Sequence, residues 1–338
     1  MGRKSLQKNL KYENRVITLI QMANATVYAM PLNHGDKQEY LRLRRNIEGI
    51  GKTGLVEMNK GKIGSPYEYS FTLILGAFAI KSVDKKGYRQ ATGTVSDYLL
   101  FCGIASCPNF RTVQWRIQQL KKKGIKLMIY QSIDEEDEYI DVIMDSTGME
   151  SRKDGEYRSD MYGKVKEWKQ LHIAISRKTH KVLNMKVTKA HSGDVNQFVS
   201  IMKPIVERKR VKSSRTDGGY DSEENFEFCY KHDINAIMPV HINAVGNRGK
   251  YRRLAIEEQL GFKRRRGAHR RYSSPSEKIR RQNQEEWKNR TGYHDRSLIE
   301  TINSVFKGVF DEGAFSKSAR MIEKELLLKA VVYNKFIV

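Results

Sequence analysis

From Tyr139 onward, short β-rich apolar runs alternate with helical ones, and that order restricts the fold more than any other feature of the chain. Tyr139–Met144 (YIDVIM), Leu171–Ser176 (LHIAIS) and Val182–Val187 (VLNMKV) read as strands, with Lys178, Thr179 and His180 as the turn between the last two. Asp194–Lys209 then reads as a helix, Val211–Arg215 as a strand, Ser222–Lys231 as a helix and Ile234–Pro239 as a strand. Three early strands with a hairpin, followed by βα alternation, predict an α/β fold with a mixed sheet covered by helices.

Upstream the character differs. Residues 1–65 form a basic region interrupted by Gly and Asn, and 66–130 form a helical region whose helices are read at Tyr69–Val83, Tyr88–Leu100 and Asn109–Lys122, with helical character to about residue 125. In the third helix Phe110, Val113, Ile117 and Leu120 share a face, Arg111, Gln114, Gln118 and Lys121 point elsewhere, and Pro108-Asn109 supplies a stop and an N-cap. Three short helices of this kind suit a helix-turn-helix DNA-binding region, and a plain helical linker fits the same pattern. Residues 131–338 form the α/β part, with a basic insertion at 241–290. Within it, Arg248–Arg290 holds 15 Lys/Arg and 5 Asp/Glu, a net of +10.

Charge narrows the partners. The 338 residues carry 62 Lys+Arg against 39 Asp+Glu, a net of +23, which favours a polyanion such as nucleic acid. The longest apolar run, Thr72–Ile80, is far short of the roughly 20 residues a membrane span requires. The N-terminus has no apolar signal segment. Cys102, Cys107 and Cys229 form an odd trio without a CxxC, so neither a disulfide framework nor a zinc ribbon is expected. A soluble, cytoplasmic, reduced protein is the expectation.

Two aspartates are expected at strand ends: Asp145 in VIMDSTGM and Asp217 in RTDGGYDSEENF, each followed by small residues that let the backbone turn. A third carboxylate, Glu300, lies in the late stretch YHDRSLIETINSVFK, from Tyr293 to Lys307. Read as one helix continuing to Phe310, that stretch buries Leu298, Ile299, Ile302, Val305, Phe306, Val309 and Phe310 and lines up Tyr293, Arg296, Glu300 and Lys307 in a stripe about 60° wide. If the strands of Asp145 and Asp217 are neighbours and the late helix crosses them, three carboxylates converge and need a cation between them. All-oxygen ligands suit Mg²⁺ or Mn²⁺, and two such ions would stabilise attacking and leaving oxygens at phosphorus.

These residues carry a resemblance. The chain resembles insertion-sequence transposases with an RNase H-like DDE catalytic domain, in particular the fourth and fifth insertion-sequence groups. Their Tyr-x2-Arg-x3-Glu-x6-Lys signature is complete here in Tyr293, Arg296, Glu300 and Lys307, and DSTG and DGGYDS match the two aspartate boxes. Similarity extends to WKQLHIAIS, KVLNMKVT and the helical GYRQATG and CPNFRTVQWR segments. The resemblance implies an RNase H-like domain with Asp145, Asp217 and Glu300 as catalytic metal ligands and, as cofactor, two Mg²⁺ or Mn²⁺ ions. It further implies double-stranded DNA as partner (terminal inverted repeats and target), a homodimer assembled on the ends, and a nucleoid-associated location. An RNase H-like nuclease without strand transfer and a domesticated DNA-binding protein are the alternatives.

Smaller features have simpler readings. Tyr293, Arg296 and Lys307, with Lys263, Arg264, Arg265 and Arg266 of the insertion, are assigned to DNA phosphates. His172 is expected to be a core or network histidine. Asp194 or Ser192 is expected to cap the helix that follows, and Asp221 the helix from Ser222. The acidic run Asp134–Glu138 is read as a solvated loop, and Trp115, Trp168 and Trp287 as core anchors.

Overall fold

The computed structural model describes residues 59–101, 106–131, 138–151, 167–190, 192–245, 249–264, 272–310, 313–316 and 318–336. The expectations for residues 1–58, for Asp134–Asp137 and for Arg265 and Arg266 lie outside these, and so does the side chain of Arg264. The chain forms two compact units, one of Met1–Ile125 with Gly308–Asp311 and Leu328–Val338, the other of Lys126–Lys307 with Glu312–Leu327.

In the first unit, α1 (Phe71–Val83) starts at Ser70, whose side chain accepts from the Leu73 amide. Its residues Ile74, Leu75, Ala77, Phe78, Ala79 and Ile80 are all buried. Helix α2 (Tyr88–Phe101) and α3 (Phe110–Gln119) follow, with Asn109 capping α3 as expected by accepting from the Arg111 amide. Val113 and Ile117 pack inward, while Arg111, Gln114 and Trp115 are exposed. Buried Arg116 donates to the Tyr69 carbonyl at 3.2 Å and stacks 3.9 Å from the Tyr67 ring centre. The chain then breaks at Leu120 (ψ 131°) and resumes as α4 (Lys122–Gln131), a helix not expected from the lysine run and Gly124 at its start.

In the second unit the strands are β1 (Tyr139–Ser151), β2 (Glu167–Ser176), β3 (Val182–Lys189), β4 (Arg210–Arg215) and β5 (Asn235–Ile237). The helices α5 (Phe198–Val206) and α6 (Glu223–Lys231) connect β3 to β4 and β4 to β5. Sheet order is β3-β2-β1-β4-β5, antiparallel on the β2 side of β1 and parallel on the β4 side. This is the mixed sheet flanked by helices that the sequence predicts. Alternation decides which face each β1 residue takes. Ile140, Val142 and Met144 join one cluster with Phe198, Ile201, Met202 and Ile205 of α5 and Phe226 and Cys229 of α6. Each such side chain contributes roughly 2 kcal/mol on burial. Asp141, Ile143 and Asp145 point the other way.

Two expectations need correction. β1 does not end at Met144; it runs through Asp145 to Ser151, because Ser146, Thr147 and Gly148 pair with His172, Leu171 and Gln170 of β2. Gly148 makes no turn: it pairs with Gln170 in the ladder, and a Cβ there would sit against the Trp168 ring at 3.4 Å. Trp168 and Trp115 are about half exposed, at 46% and 48%, and of the three tryptophans only Trp287 is a core anchor.

The insertion is ordered where it is described. Helix α7 (Tyr251–Leu260) packs beside α8 (Glu277–Thr291), with a short hairpin, β6 (Lys263–Arg264) and β7 (Tyr272–Ser273), between them. Buried Gln259 bridges the Val240 amide and the Met238 carbonyl, both at 2.8 Å. Gly292, at φ 65°, ends α8. A 3₁₀ turn (Tyr293–Arg296) then leads into α9 (Ser297–Phe310), so the late signature is a turn plus a helix rather than one continuous helix. Ile299, Ile302, Phe306, Val309 and Phe310 are buried as expected, whereas Val305 is exposed. Strand β8 (Gly313–Ala314) pairs with the end of β1, and α10 (Ala319–Phe336) closes the chain. Among the described residues no helix is long and apolar enough to cross a membrane.

Candidate active site

The β1–β4 register pairs Ile143 with Arg215. Continued two residues, it sets Asp145 beside Asp217 at the point where β4 ends and β1 goes on. Asp217 leaves the sheet through a tight turn: it caps the 3₁₀ segment Gly218–Tyr220, accepting from the Gly219 amide at 2.9 Å. Side chains would crowd this turn: a Cβ on Gly219 would lie 3.0 Å from Asp217 Oδ1, the oxygen that closes the turn, and one on Gly218 would lie 3.4 Å from the Pro239 carbonyl.

From the other side, α9 brings Asn303 Nδ2 to 3.5 Å from Asp145 Oδ2. The Arg296 guanidinium stands between carboxylates, with Nη2 2.6 Å from Glu300 Oε1 and Nη1 3.7 Å from Asp145 Oδ1. The Asp145 side chain is 15% exposed and that of Glu300 is 57% exposed. Burial pushes the Asp145 carboxyl up to about 6; the Ser146 amide and Arg296 oppose this, and the charges of Asp217 and Glu300 add to it. Tyr293 is half-buried and its hydroxyl is pushed up by burial, with Arg296 opposing. These five residues, Asp145, Asp217, Tyr293, Arg296 and Glu300, are brought together. Lys307 lies on the same helix, seven residues beyond Glu300 and about 10 Å further along its axis. Lys263 is exposed on the insertion hairpin.

Among the described residues no group of three or more His, Cys, Asp or Glu is arranged to hold one ion. Glu300 is turned to Arg296 instead. The donor chemistry nevertheless fits a hard divalent cation: the carboxylates are all-oxygen ligands, and Asp145 is a desolvated carboxyl whose charge two further carboxylates disfavour.

The turn that carries Tyr293 and Arg296 is pinned to the sheet by residues that carry no motif in the sequence. Buried Arg215 donates from Nε to the Gly292 carbonyl at 3.3 Å and from Nη1 to Ser213 Oγ at 2.7 Å, with Asp141 3.6 Å away. Ser213 donates in turn to Asp141. Arg177 reaches Asp295 at 2.6 Å. One signal does point to them: Asp141 and Asp145 are four apart on one strand and therefore share a face.

A second polar group adjoins Asp145. His172 is fully buried, with Nε2 3.0 Å from Thr188 Oγ1 and Nδ1 3.3 Å from Asp194 Oδ1. Burial, aided by the Lys186 charge, lowers its pKa to about 4, so it is the neutral network histidine expected. Gln170 donates to Asp194 at 2.8 Å and to Ser146 at 3.2 Å. Asp194 therefore serves this network and caps no helix; the N-cap of the 3₁₀ segment Asp194–Gln197 is Gly193, without a side-chain bond, and Ser192 bonds the Lys189 carbonyl. Ser222, not Asp221, caps α6 by accepting from the Asn225 amide. Tyr220 is fully buried, and its hydroxyl makes no hydrogen bond among the described residues. Desolvation raises its pKa, and the charges of Asp194, Asp145 and Asp217 add to that.

Two family models match the chain, each described as a transposase DDE domain, over residues 136–335 and 49–153. Among solved structures, a cryo-EM piggyBac transposase synaptic complex with hairpin DNA is similar at 12% identity and a TM-score of 0.42, covering 91% of this chain and 76% of that one. The first match takes in Asp145, Asp217, the turn and α9, and on it the chain belongs to the DDE transposase family and is an enzyme of DNA transposition.

Proposed function

We propose that Asp145, Asp217 and Glu300 are the three acidic residues of the transposase reaction and hold Mg²⁺ or Mn²⁺, two ions in the reacting complex. The observation that carries this reading is the β1–β4 register, which aligns Asp145 with Asp217 while Arg296 draws Glu300 to the same place. Divalent ions bound there supply Lewis-acid stabilisation of the charge developing on the oxygens at phosphorus. The remaining work falls to side chains. Arg296 offers a planar fork to a phosphate, Tyr293 stands beside it with a half-buried hydroxyl, and Lys307 and the insertion cations Lys263, Arg264, Arg265 and Arg266 contact the backbone further out.

The reaction has two displacements. In the first, water attacks a phosphodiester at the transposon end; the bond to the 3′ oxygen breaks and that oxygen takes a proton. In the second, the freed 3′-hydroxyl attacks a phosphodiester of target DNA, losing its proton and displacing the target strand's 3′ oxygen. The substrates are double-stranded DNA ends with terminal inverted repeats and a target duplex, and the enzyme acts as a homodimer assembled on two ends, at the nucleoid. The helical region 66–130 binds the ends, with α3 as recognition helix through its exposed Arg111, Gln114 and Trp115. The test uses a duplex carrying the inverted repeats that flank the gene. Cleavage in Mg²⁺ or Mn²⁺, and joining of a pre-cut 3′-hydroxyl end, support the reading. Cleavage that persists in excess chelator, or that yields cutting without any joining, contradicts it.

A further inference from the structure

The loop after Asp217 is tied to the basic insertion by two carboxylates that the reaction itself does not require. Asp221 keeps its side chain 5% exposed and takes Arg252 in a two-pronged pair, Nε to Oδ1 at 2.6 Å and Nη2 to Oδ2 at 2.7 Å. The His241 amide donates to the same Oδ2 at 3.0 Å. Two residues on, Glu223 accepts the amides of Lys250, Tyr251 and Arg252 at 2.7, 3.0 and 2.8 Å. Those are the first amides of α7, which lack helical partners, and Lys250 at the N-cap makes no side-chain cap of its own. Gly249 leaves the room: it has φ +79°, and a Cβ there would fall 2.0 Å from Glu223 Oε2. Helix α7 thus takes its cap from the first residue of α6, six residues beyond Asp217.

Little slack separates this clamp from Asp217. Only Gly218–Tyr220 intervenes, itself closed by Tyr220 N to Asp217 O at 3.3 Å and Asp221 N to Gly218 O at 3.2 Å. A charge-assisted, bidentate, largely buried pair is a strong tether, and losing one partner leaves the other charge uncompensated. From this geometry we infer that Arg252 is a positioning residue for Asp217, and that the insertion, through the Asp221–Arg252 and Glu223–α7 contacts, sets the turn on which Asp217 sits. The inference rests on Asp217 being a site residue as proposed above.

The test compares Arg252→Ala, Arg252→Lys and Gly249→Ala in the full chain with Arg290→Ala, which breaks an exposed insertion pair with Glu258 that does not touch the loop. Single-turnover cleavage of end DNA, its Mn²⁺ dependence, end-DNA affinity and hydrogen exchange of the 218–221 amides are measured together. Arg252→Ala is expected to slow cleavage on the order of 10²-fold, the scale of an ångström-level misplacement. It should also raise the Mn²⁺ needed for half-maximal rate and speed exchange at 218–221, with affinity nearly unchanged. Arg252→Lys should recover part of the rate, Gly249→Ala should share the defect, and Arg290→Ala should match the parent. Parental rate and Mn²⁺ dependence in both Arg252→Ala and Gly249→Ala overturn the inference. So does a loss of protection across the whole sheet in Arg252→Lys and Gly249→Ala, which would make the contact purely structural. Asp217→Asn separates the two claims: if it still cleaves, the reading of Asp217 has failed, whereas if it is inactive while Arg252→Ala is normal, only the clamp has failed.

Discussion

Asp217 sits on a loop tied down at both ends, whereas Glu300 rides an exposed helix face and answers to a single arginine. On the sheet side, β4 delivers Asp217 in register with Asp145, its carboxylate closes its own turn, and the chain beyond it is clamped within four residues. On the helix side, the backbone of Glu300 is set by α9, but its side chain is 57% exposed and its carboxylate is held 2.6 Å from Arg296 by an ion pair of a kind worth under about 1 kcal/mol at a surface. The difference teaches that Asp145 and Asp217 are held by the fold, and that in the proposed site the helix carboxylate would be the adjustable member, exchanging Arg296 for a cation at little cost.

The largest expected effect is on the rigid side. Asp145→Ala and Asp217→Ala should each abolish strand cleavage, a loss of several kcal/mol of transition-state stabilisation, while leaving end binding and the far-ultraviolet circular dichroism intact. Neither side chain contributes to the α5/α6 core, so a misfolded Asp217→Ala would break the comparison. Glu300→Gln should match them in rate, because an amide keeps the bond to Arg296 but not the charge a divalent ion needs. Arg296→Lys comes next, with a clear rate defect despite the kept charge, since a single ammonium cannot span Asp145, Glu300 and a phosphate as a fork does.

A smaller effect concerns stability. Asp145 has its carboxyl raised from 3.8 to about 6, so between those values the folded chain holds a proton that the unfolded chain has released. Its charge therefore costs stability above about pH 6; the cost is relieved as pH falls through 6 and is gone below about 3.8. Asp145→Asn should stabilise the protein by roughly 2 kcal/mol near neutral pH in chelator, with the gain shrinking toward zero at about pH 4 in urea titrations. Glu300→Gln, on the exposed side, should change stability little at any pH. An equal gain in both variants would erase the distinction between the two sides. Mildest of all, Tyr293→Phe should lower the cleavage rate only a few-fold, as expected for one lost hydroxyl.

The strands, the two βα units and the buried face of α9 are legible in the sequence, because each is a local pattern of apolar spacing. Periodicity does not reveal where such a pattern is overridden from across the sheet. DSTG looks like a turn, yet Ser146, Thr147 and Gly148 pair with β2 and the strand continues. Asp221 and Ser222 are equally good caps by composition, and Arg252, 31 residues away, decides between them. The lysines at 121–123 read as a helix end, but a new helix starts inside them. Tryptophan is buried often enough to suggest a core role, and Trp115 stands exposed because Val113, Arg116 and Ile117 already fill the inner face of α3. The site residues lie within three short motifs; the Arg215–Gly292 and Arg252–Asp221 contacts that position them are long-range and leave no local signature.

The most direct test of the account is a paired measurement on Glu300→Gln: single-turnover cleavage of end DNA in saturating Mn²⁺, beside equilibrium binding of the same DNA. The account predicts binding close to the parent's and cleavage reduced by at least about 10³-fold, the scale of losing several kcal/mol at the transition state. Cleavage within a few-fold of the parent would contradict it, returning Glu300 to the status of a surface partner for Arg296 and leaving the two sheet aspartates without their third.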